Sequence, residues 1–297
     1  MCGIVGLLVK NPALRASLGA LMVPMLTGMT ERGPDSAGLA VYTTPVPNGE
    51  HKLSLYSGRV AVDWPELLAR ISDAFEEPHS LAVHGNQAVL TTEADADLVV
   101  AWLKANVPVA VLSVGQSIDL YKDVGAPADI ARRYRFAELS GTHLIAHTRM
   151  ATESAVTPAH AHPFTAGRDF CLVHNGSLSN PHLVRKRLEP LGIVFETDND
   201  TEAACRFFEW RLREGDELER AVERGFTELD GFFTFLMGTA REMLIVRDAF
   251  ACKPAVVAET DDYVAIASEF RSLAHLPDIG HASLFEPKPE EIYSWHI

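Results

Sequence analysis

Alternating runs of apolar and polar residues divide the chain into predicted strands and helices. The apolar run at residues 2–9 predicts a buried strand in which Gly3 and Gly6 allow close backbone approach. Apolar residues then recur at helical spacing over residues 14–29, and Pro24 within this stretch predicts a kink or a division into two pieces. Turn-forming residues at 45–49 predict a hairpin between strands at 39–43 and 52–56.

Residues 63–137 have an alternation of their own. The pattern predicts helices at 64–75, 94–106 and 128–136, with short strands at 81–84, 88–91 and 107–114. No nucleotide-binding fingerprint occurs among them. We therefore expect an α/β-rich insertion of about residues 63–137 within one domain that covers residues 2–297.

The second half combines strands, helices and polar strand ends. Residues 144–152 predict a strand that carries polar side chains at its end, and residues 170–176 predict a strand that ends in a His-Asn-Gly turn. Helices are expected at 179–191, 203–213 and 217–229, with Asp198 or Asp200 as the cap of the second. The regular spacing of the short apolar runs at 231–239, 242–248, 254–258 and 263–268 predicts an antiparallel sheet.

Composition narrows the class of protein. Hydrophobic residues make up 47% of the 297 residues and charged residues 22%, which is ordinary for a globular chain. The net charge of −14 argues against nucleic acid and anionic membrane as partners. No apolar run is as long as a membrane span or arranged as a secretory signal, and the four cysteines form no CxxC pair. We expect a cytoplasmic enzyme with reduced thiols.

Cys2 is the strongest candidate nucleophile. Removal of Met1 would leave a thiol and a free α-amine on the same residue, so the amine can act as the base for the thiol. An α-amine titrates near roughly 7.7–8.0, and a useful fraction is therefore neutral at physiological pH. The alternative is that a cysteine at position 2 is accidental.

Three further positions suggest the substrate. Asn175 and Gly176 offer a side-chain amide and a backbone N–H, the donor pair that an oxyanion requires. Arg149 is suited to an α-carboxylate, and Asp200 to an α-ammonium. Each also has a purely structural interpretation, as a hairpin turn, a surface ion pair or a helix cap. Together they describe a pocket for a free amino acid, and glutamine is the one whose side chain offers an unactivated amide.

The chain resembles the class II glutamine amidotransferases, whose members are N-terminal-nucleophile hydrolases. The resemblance rests on segments in fixed order: MCGIVGLL at the start, RGPDSAG at 32–38, HTRMAT at 147–152, AHPF at 161–164, HNG at 174–176, DTE at 200–202, RDAFACKP at 247–254 and ASE at 267–269. It implies an α+β fold, a four-layer αββα sandwich of two antiparallel sheets.

The resemblance also implies roles for individual residues. It places the nucleophile at Cys2 and the oxyanion donors at Asn175 and Gly176. The glutamine pocket would include Arg149, Thr152 and Asp200, with His174 packed beside the site and Arg32 supporting the cysteine terminus. One departure is that the family usually has a glycine where this chain has Ala251-Cys252.

A closer resemblance is to the separate amidotransferase subunit of archaeal-type glutamate synthase and N-methylglutamate synthase. It rests on ATES at 151–154, KDVGAPADIA at 122–131, ETDNDTE at 196–202 and the total length. It implies L-glutamine as substrate, synthase chains as partners in trans, and a flavin on a partner chain with no cofactor in this one. The family fold uses the whole chain, which leaves no domain to consume the ammonia.

Other interpretations remain open at this stage. The chain could serve another acceptor, in a phosphoribosyl or amino-sugar pathway. It could also be another N-terminal-cysteine amide hydrolase or a non-catalytic glutamine-binding subunit. His160-Ala161-His162 resembles a metal motif, but no third ligand follows at a readable spacing and we expect no metal. His147 is expected to be a packing residue beside the site, like His174.

Overall fold

The computed structural model describes residues 2–58, 60–151 and 156–297. Its strands are β1 (Gly3–Val9), β2 (Ser36–Tyr42), β3 (His51–Tyr56), β4 (His79–His84), β5 (Gln87–Thr92), β6 (Ala110–Gly115), β7 (Ile118–Val124), β8 (His143–Arg149), β9 (Phe164–Thr165), β10 (Cys171–Leu178), β11 (Gly231–Gly238), β12 (Glu242–Arg247), β13 (Val256–Glu259), β14 (Tyr263–Ala267), β15 (Ser283–Phe285) and β16 (Tyr293–His296). Its α-helices are α1 (Leu18–Thr27), α2 (Trp64–Ala74), α3 (Ala96–Asn106), α4 (Pro127–Arg133), α5 (Pro181–Leu188), α6 (Asp200–Arg213) and α7 (Leu218–Glu228).

Two antiparallel sheets form the centre of the molecule. The first, here the front sheet, has seven strands in the order β15-β13-β14-β1-β8-β2-β7, and the second, the back sheet, has five in the order β16-β12-β11-β10-β9. An apolar cluster between them joins Ile4 and Ile145 of the front sheet to Val173 and Leu236 of the back sheet. The sheets therefore pack face to face.

Helices cover the outer face of each sheet. Side chains of α1 and α4 share one apolar cluster with the front sheet, and α6 and α7 share another with the back sheet. Strand β1 shows the consequence, since Ile4 faces the back sheet while Val5 faces the helices, and every residue of the strand is buried. The predicted four-layer αββα sandwich is confirmed.

A third sheet lies outside these layers. It has the strand order β4-β5-β3-β6 and shares a separate apolar core with α2 and α3. We call residues 51–115, which contain these elements, the inserted unit. Strand β7 pairs with β2 in the front sheet, and α4 packs on that sheet, so the range 63–137 is divided between the inserted unit and the sandwich.

Strand pairing corrects two local expectations. The hairpin expected between strands at 39–43 and 52–56 does not form, because β2 pairs with β7 and β8 whereas β3 pairs with β5 and β6. The four strands predicted as one sheet after residue 230 are split, because β11 and β12 belong to the back sheet whereas β13 and β14 belong to the front sheet. The helical stretch expected at 14–29 is divided into two pieces, a 3₁₀ segment at Pro12–Ser17 and α1, but the division comes before Leu18 and Pro24 lies inside α1. The cap of α6 is Asn199, whose side chain accepts a hydrogen bond from the Thr201 N–H, because Asp198 and Asp200 bond elsewhere.

Candidate active site

Strand β1 positions Cys2 at the edge of the space between the sheets. The Cys2 carbonyl accepts hydrogen bonds from Arg32 Nε at 3.0 Å and from Asn175 Nδ2 at 3.2 Å. Ser268 Oγ accepts from the Ile4 N–H at 2.9 Å and holds the start of the strand from the other side. The half-buried Cys2 is thereby fixed by groups from three distant parts of the chain.

Arg32, which bonds to Cys2, is itself held in place by an ion pair. Its Nη1 lies 2.9 Å from Glu269 Oε1, and the other oxygen of that carboxylate is 2.7 Å from Arg271 Nε. The hydrogen bond from Arg32, together with Arg271, lowers the pKa of Glu269. Asp35 makes a separate contact, in which its Oδ2 accepts a hydrogen bond from the Ala151 N–H at 2.8 Å.

Asn175 and Gly176 lie within β10 and not in a turn after it. Their register partners are Thr234 and Phe233 of β11, and the strand continues to Leu178. Both backbone groups of Phe233 bond to Asp248, so the Gly176 N–H faces the edge of β10 opposite β11. The expected turn is therefore wrong, but the two donors remain adjacent.

Glycine is the residue type that fits at position 176. It has a φ of 151°, and a Cβ added there would lie 2.0 Å from the Phe232 carbonyl oxygen and 2.7 Å from His174 Nε2. Only glycine adopts this conformation without strain, and only glycine avoids the clash. The backbone N–H of residue 176 is consequently not shielded by a side chain of its own.

Arg149 and Asp200 occupy the ends of two elements. Arg149 is the last residue of β8, and the register that pairs Gly3 with Thr148 brings this buried arginine next to Cys2 along the front sheet. Asp200 begins α6, where its Oδ2 accepts the Leu178 N–H at 2.9 Å. The back-sheet strand of Asn175 therefore also holds Asp200. Thr152, the remaining predicted pocket residue, lies outside the described residues.

A buried polar cluster lies behind these groups. Thr201 Oγ1 is 3.0 Å from His174 Nδ1 and 2.9 Å from His162 Nε2, while His174 Nδ1 is 3.8 Å from Asp200 Oδ1. His147 Nε2 donates to the His174 carbonyl at 3.1 Å, because a carbonyl can only accept. The cluster connects β8, β10, α6 and the loop before β9.

Burial keeps these histidines neutral near pH 7. Desolvation lowers the pKa of His147 to about 3 and also lowers the pKa values of His162 and His174. Nearby Asp200 opposes the shift of His174 without reversing its direction. These side chains are therefore suited to hold their neighbours in place and are poorly suited to carry a proton in catalysis.

The histidines of the HxH motif face separate partners. His160 Nε2 is 2.8 Å from Asp198 Oδ1, whereas His162 Nε2 is bonded to Thr201. Across residues 2–58, 60–151 and 156–297, no group of three potential ligands is arranged for a metal ion. Thr201, Ser268 and Glu269 were not assigned roles from the sequence, although DTE and ASE contain them.

The one departure from the family pattern falls in a strained turn. Ala251 has a φ of 47°, in the left-handed region that favours glycine. Its carbonyl accepts a hydrogen bond from Arg247 Nη2, and its N–H donates to the Asp248 carbonyl at 3.1 Å. The turn is therefore held by hydrogen bonds in place of the conformational freedom of glycine.

The fold matches that of a solved protein. The solved structure of the glutamine phosphoribosylpyrophosphate amidotransferase from B. subtilis, complexed with ADP and GMP, matches this fold with a TM-score of 0.60 at 17% identity. The match covers 99% of this chain and 49% of that one, so the chain spans about half of the solved protein. At this level of identity, the match shows that the two proteins share a fold.

Sequence comparison identifies the family. A family model described as a glutamine amidotransferase domain matches residues 147–275. The glutamine amidotransferase-like protein GlxB of Rhizobium meliloti (strain 1021) is 45% identical over 299 residues, 99% of this chain and 98% of that protein. A glutamine amidotransferase-type protein of Methanothermobacter thermautotrophicus is 33% identical over 308 residues and covers 99% of both chains. The chain belongs to the class II glutamine amidotransferase family and is an enzyme of that class.

In the parts of the chain that the structure describes, no helix is both long enough and apolar enough to cross a membrane.

Proposed function

We propose that this chain hydrolyses L-glutamine to glutamate and ammonia through a γ-glutamyl thioester on Cys2. The observation that carries the proposal is the double clamp on the Cys2 carbonyl, by Arg32 Nε and Asn175 Nδ2. It fixes the residue that would carry the nucleophile beside a residue that would stabilise the oxyanion.

The residues present support each step of the reaction. After removal of Met1, the α-amine of Cys2 takes the proton from the thiol, and Sγ attacks the side-chain carbonyl carbon of glutamine. One N–H of the Asn175 amide holds Cys2, so the second is free to bind the oxyanion together with the Gly176 N–H. The C–N bond then breaks, and ammonia leaves with the proton that the amine returns. Water attacks the thioester by the same route and releases glutamate.

The amino-acid end of the substrate fits the remaining predicted residues. The Arg149 guanidinium would bind the α-carboxylate and the Asp200 carboxylate the α-ammonium, with Thr152 beside them. Asp200 is already oriented by the Leu178 N–H and by the His174 and Thr201 pair. Such an arrangement favours a free amino acid over a peptide, because both charged ends are bound.

We further propose that the ammonia passes to a synthase partner in trans, in a hetero-oligomer of the glutamate synthase or N-methylglutamate synthase type in the cytoplasm. The support is the resemblance of ATES, KDVGAPADIA and ETDNDTE to that subunit. A flavin would then be bound by a partner chain.

Replacement of the nucleophile tests the hydrolytic step. We expect Cys2→Ala to lower glutaminase activity by more than about 1,000-fold, because the proposed thioester forms on the Cys2 sulfur. Ammonia release from L-glutamine measures the activity, and intact mass shows whether Met1 has been removed. Cys252→Ala is the matched control, because Cys252 is exposed and has no role in the proposed mechanism. Activity that survives Cys2→Ala, or a mature protein that keeps Met1, would contradict the proposal.

Native mass measurement tests the partner. The complex is purified gently from its source, and flavin-carrying synthase chains are expected to accompany this chain. A chain that runs alone yet hydrolyses glutamine through Cys2 would exclude the synthase assignment while leaving the glutaminase assignment intact.

A further inference from the structure

A cavity of about 210 Å³ lies between the inserted unit and the sandwich. Strand β6 and helix α3 line one side, and β9 with the first turns of α6 line the other. Cys2, Arg32, Arg149, Asn175 and Asp200 are not among its lining residues, so it is distinct from the candidate active site. Pockets for drug-sized molecules usually measure about 300–1,000 Å³, which restricts an occupant here to a smaller molecule.

The lining carries more positive than negative side chains. Two of its cations already face carboxylates, since Lys104 Nζ is 3.0 Å from Glu196 Oε1 and Arg206 Nε is 3.7 Å from Glu202 Oε1. The third, Lys122, makes no ion pair with a carboxylate of the described residues. In a protein with a net charge of −14, this pocket therefore has a local excess of one positive charge.

Lys122 is a buried ammonium that donates two hydrogen bonds and can donate a third. It is 6% exposed, and Nζ donates to the Ala161 carbonyl at 2.9 Å and to the Pro163 carbonyl at 3.3 Å. An ammonium has three N–H groups, and Nζ also lies 4.9 Å from the centre of the Phe164 ring, so the third N–H can be given to a ligand beside that ring. Desolvation lowers its pKa to about 8, which is the expected cost of a buried cation that lacks an anionic partner.

Two further polar atoms of the lining lack partners. Ser113 is 3% exposed, and its Oγ makes no hydrogen bond to any described residue. The buried Arg206 Nε likewise has no hydrogen-bond acceptor in the described part of the chain. Because buried polar atoms are nearly always hydrogen-bonded, two such donors in the same lining as Lys122 indicate a position for an acceptor.

We propose that this cavity binds a small aliphatic monocarboxylate that carries no ammonium group. Its two oxygens accept from Lys122 and Ser113, and its single charge matches the local excess. Glu196 and Glu202, which share the lining, disfavour a dianion such as phosphate. The site is built where β6 of the inserted unit approaches β9, and Thr165 Oγ1 donates to the Leu112 carbonyl at 2.5 Å across the junction.

Butyrate is the probe, and binding is followed by ligand-observed NMR on the Cys2→Ala protein. We expect saturable binding that excess L-glutamine does not displace and that the neutral isostere butyramide does not reproduce. Lys122→Met and Ser113→Ala are each expected to weaken binding by about tenfold, the usual effect of losing a hydrogen bond to a charged group. Lys288→Met, at an exposed lysine outside the cavity, is the charge control and should bind as the parent protein does.

Two variants are used because Ser113→Ala still gives a result if Lys122→Met fails to fold. Lys122→Met leaves two carbonyls without a donor and could disturb the loop, whereas Ser113→Ala removes no hydrogen bond within the described structure. The proposal is overturned if butyrate shows no saturable binding, or if both variants bind it unchanged. Displacement by L-glutamine, or equal binding of butyramide or inorganic phosphate, would overturn it as well. None of these outcomes depends on glutaminase activity, so the proposed function is tested separately.

Discussion

The sandwich and the inserted unit bury their apolar side chains in different ways. Strand β1 of the sandwich is buried on both faces, and polar groups such as His147 and Thr201 lie among its apolar residues. Strand β4 of the inserted unit alternates between half-buried and exposed positions, and the unit has one apolar core against α2 and α3. Coverage on both sides makes the sandwich interior dry enough for fixed polar contacts to be effective.

This difference in burial indicates which of the two regions holds the residues proposed for catalysis. A hydrogen bond that positions a reacting group is strongest where water is excluded, and a displaced partner there is costly. In the sandwich, Arg32, Asn175 and Ser268 each reach β1 from a remote element. The inserted unit makes polar contacts both within itself and at its junction with the sandwich, as in the pairs of His79 with Thr92 and of Lys104 with Glu196. We therefore expect catalysis to depend on the first region far more than on the second.

Among the residues that surround Cys2, the largest effect is expected from Asn175, the proposed donor to both Cys2 and the oxyanion. Asn175→Ala should lower kcat for glutamine hydrolysis by about 100- to 1,000-fold, the usual cost of one oxyanion donor. Steady-state ammonia release gives kcat and KM separately. KM should change little, because the bond to the oxyanion forms only in the transition state.

Asn180→Ala is the matched control. Asn180 precedes α5 and bonds to Glu228 and Asp230, away from Cys2. Its replacement should affect stability but leave kcat within about twofold. An equal fall of kcat in both variants would show that Asn175 acts through general stability, and the oxyanion role would then be rejected.

Local patterns predicted much of this fold. The apolar run at β1 and the helical periods of α2 and α3 depend on short-range preferences, and the structure has elements at each. The turn residues around Pro45 and Gly49 did not predict the strand pairing, because β2 and β3 lie in different sheets. The division between sheets could not be read in this way. Strand β7 joins the front sheet through β2, about 80 residues earlier in the chain, and no local pattern specifies that partner.

The residues of the candidate site were likewise predicted only in part. Cys2, Asn175 and Asp200 were identified by their chemical type and by resemblance, and the structure places Asn175 on Cys2 and His174 beside Asp200. Thr201 was missed because a threonine in the first turn of a helix is ordinary. Its importance lies in a hydroxyl that meets two histidines from other elements. Such contacts depend on tertiary packing and leave no periodic signal.

A matched pair of core truncations gives the sharpest test of the comparison, although its effect on activity is smaller. Leu90 lies in the core of the inserted unit and Leu236 lies between the two sheets, and both are fully buried. Each change to alanine should cost about 2–5 kcal/mol of local or global stability through the lost contacts and the cavity. Leu236 also packs close to Gly6 of β1, so Leu236→Ala loosens the strand that holds Cys2.

The two variants should therefore diverge in activity while they resemble each other in stability. We expect Leu236→Ala to lower kcat by about tenfold, which corresponds to about 1.4 kcal/mol in the activation barrier. Leu90→Ala should keep kcat within about twofold, and its added amide exchange should be confined to the inserted unit. Hydrogen exchange measured beside the glutaminase rate separates these outcomes. If Leu90→Ala lost activity as strongly as Leu236→Ala, the inserted unit would be part of the catalytic framework, and the distinction between the two regions would fail.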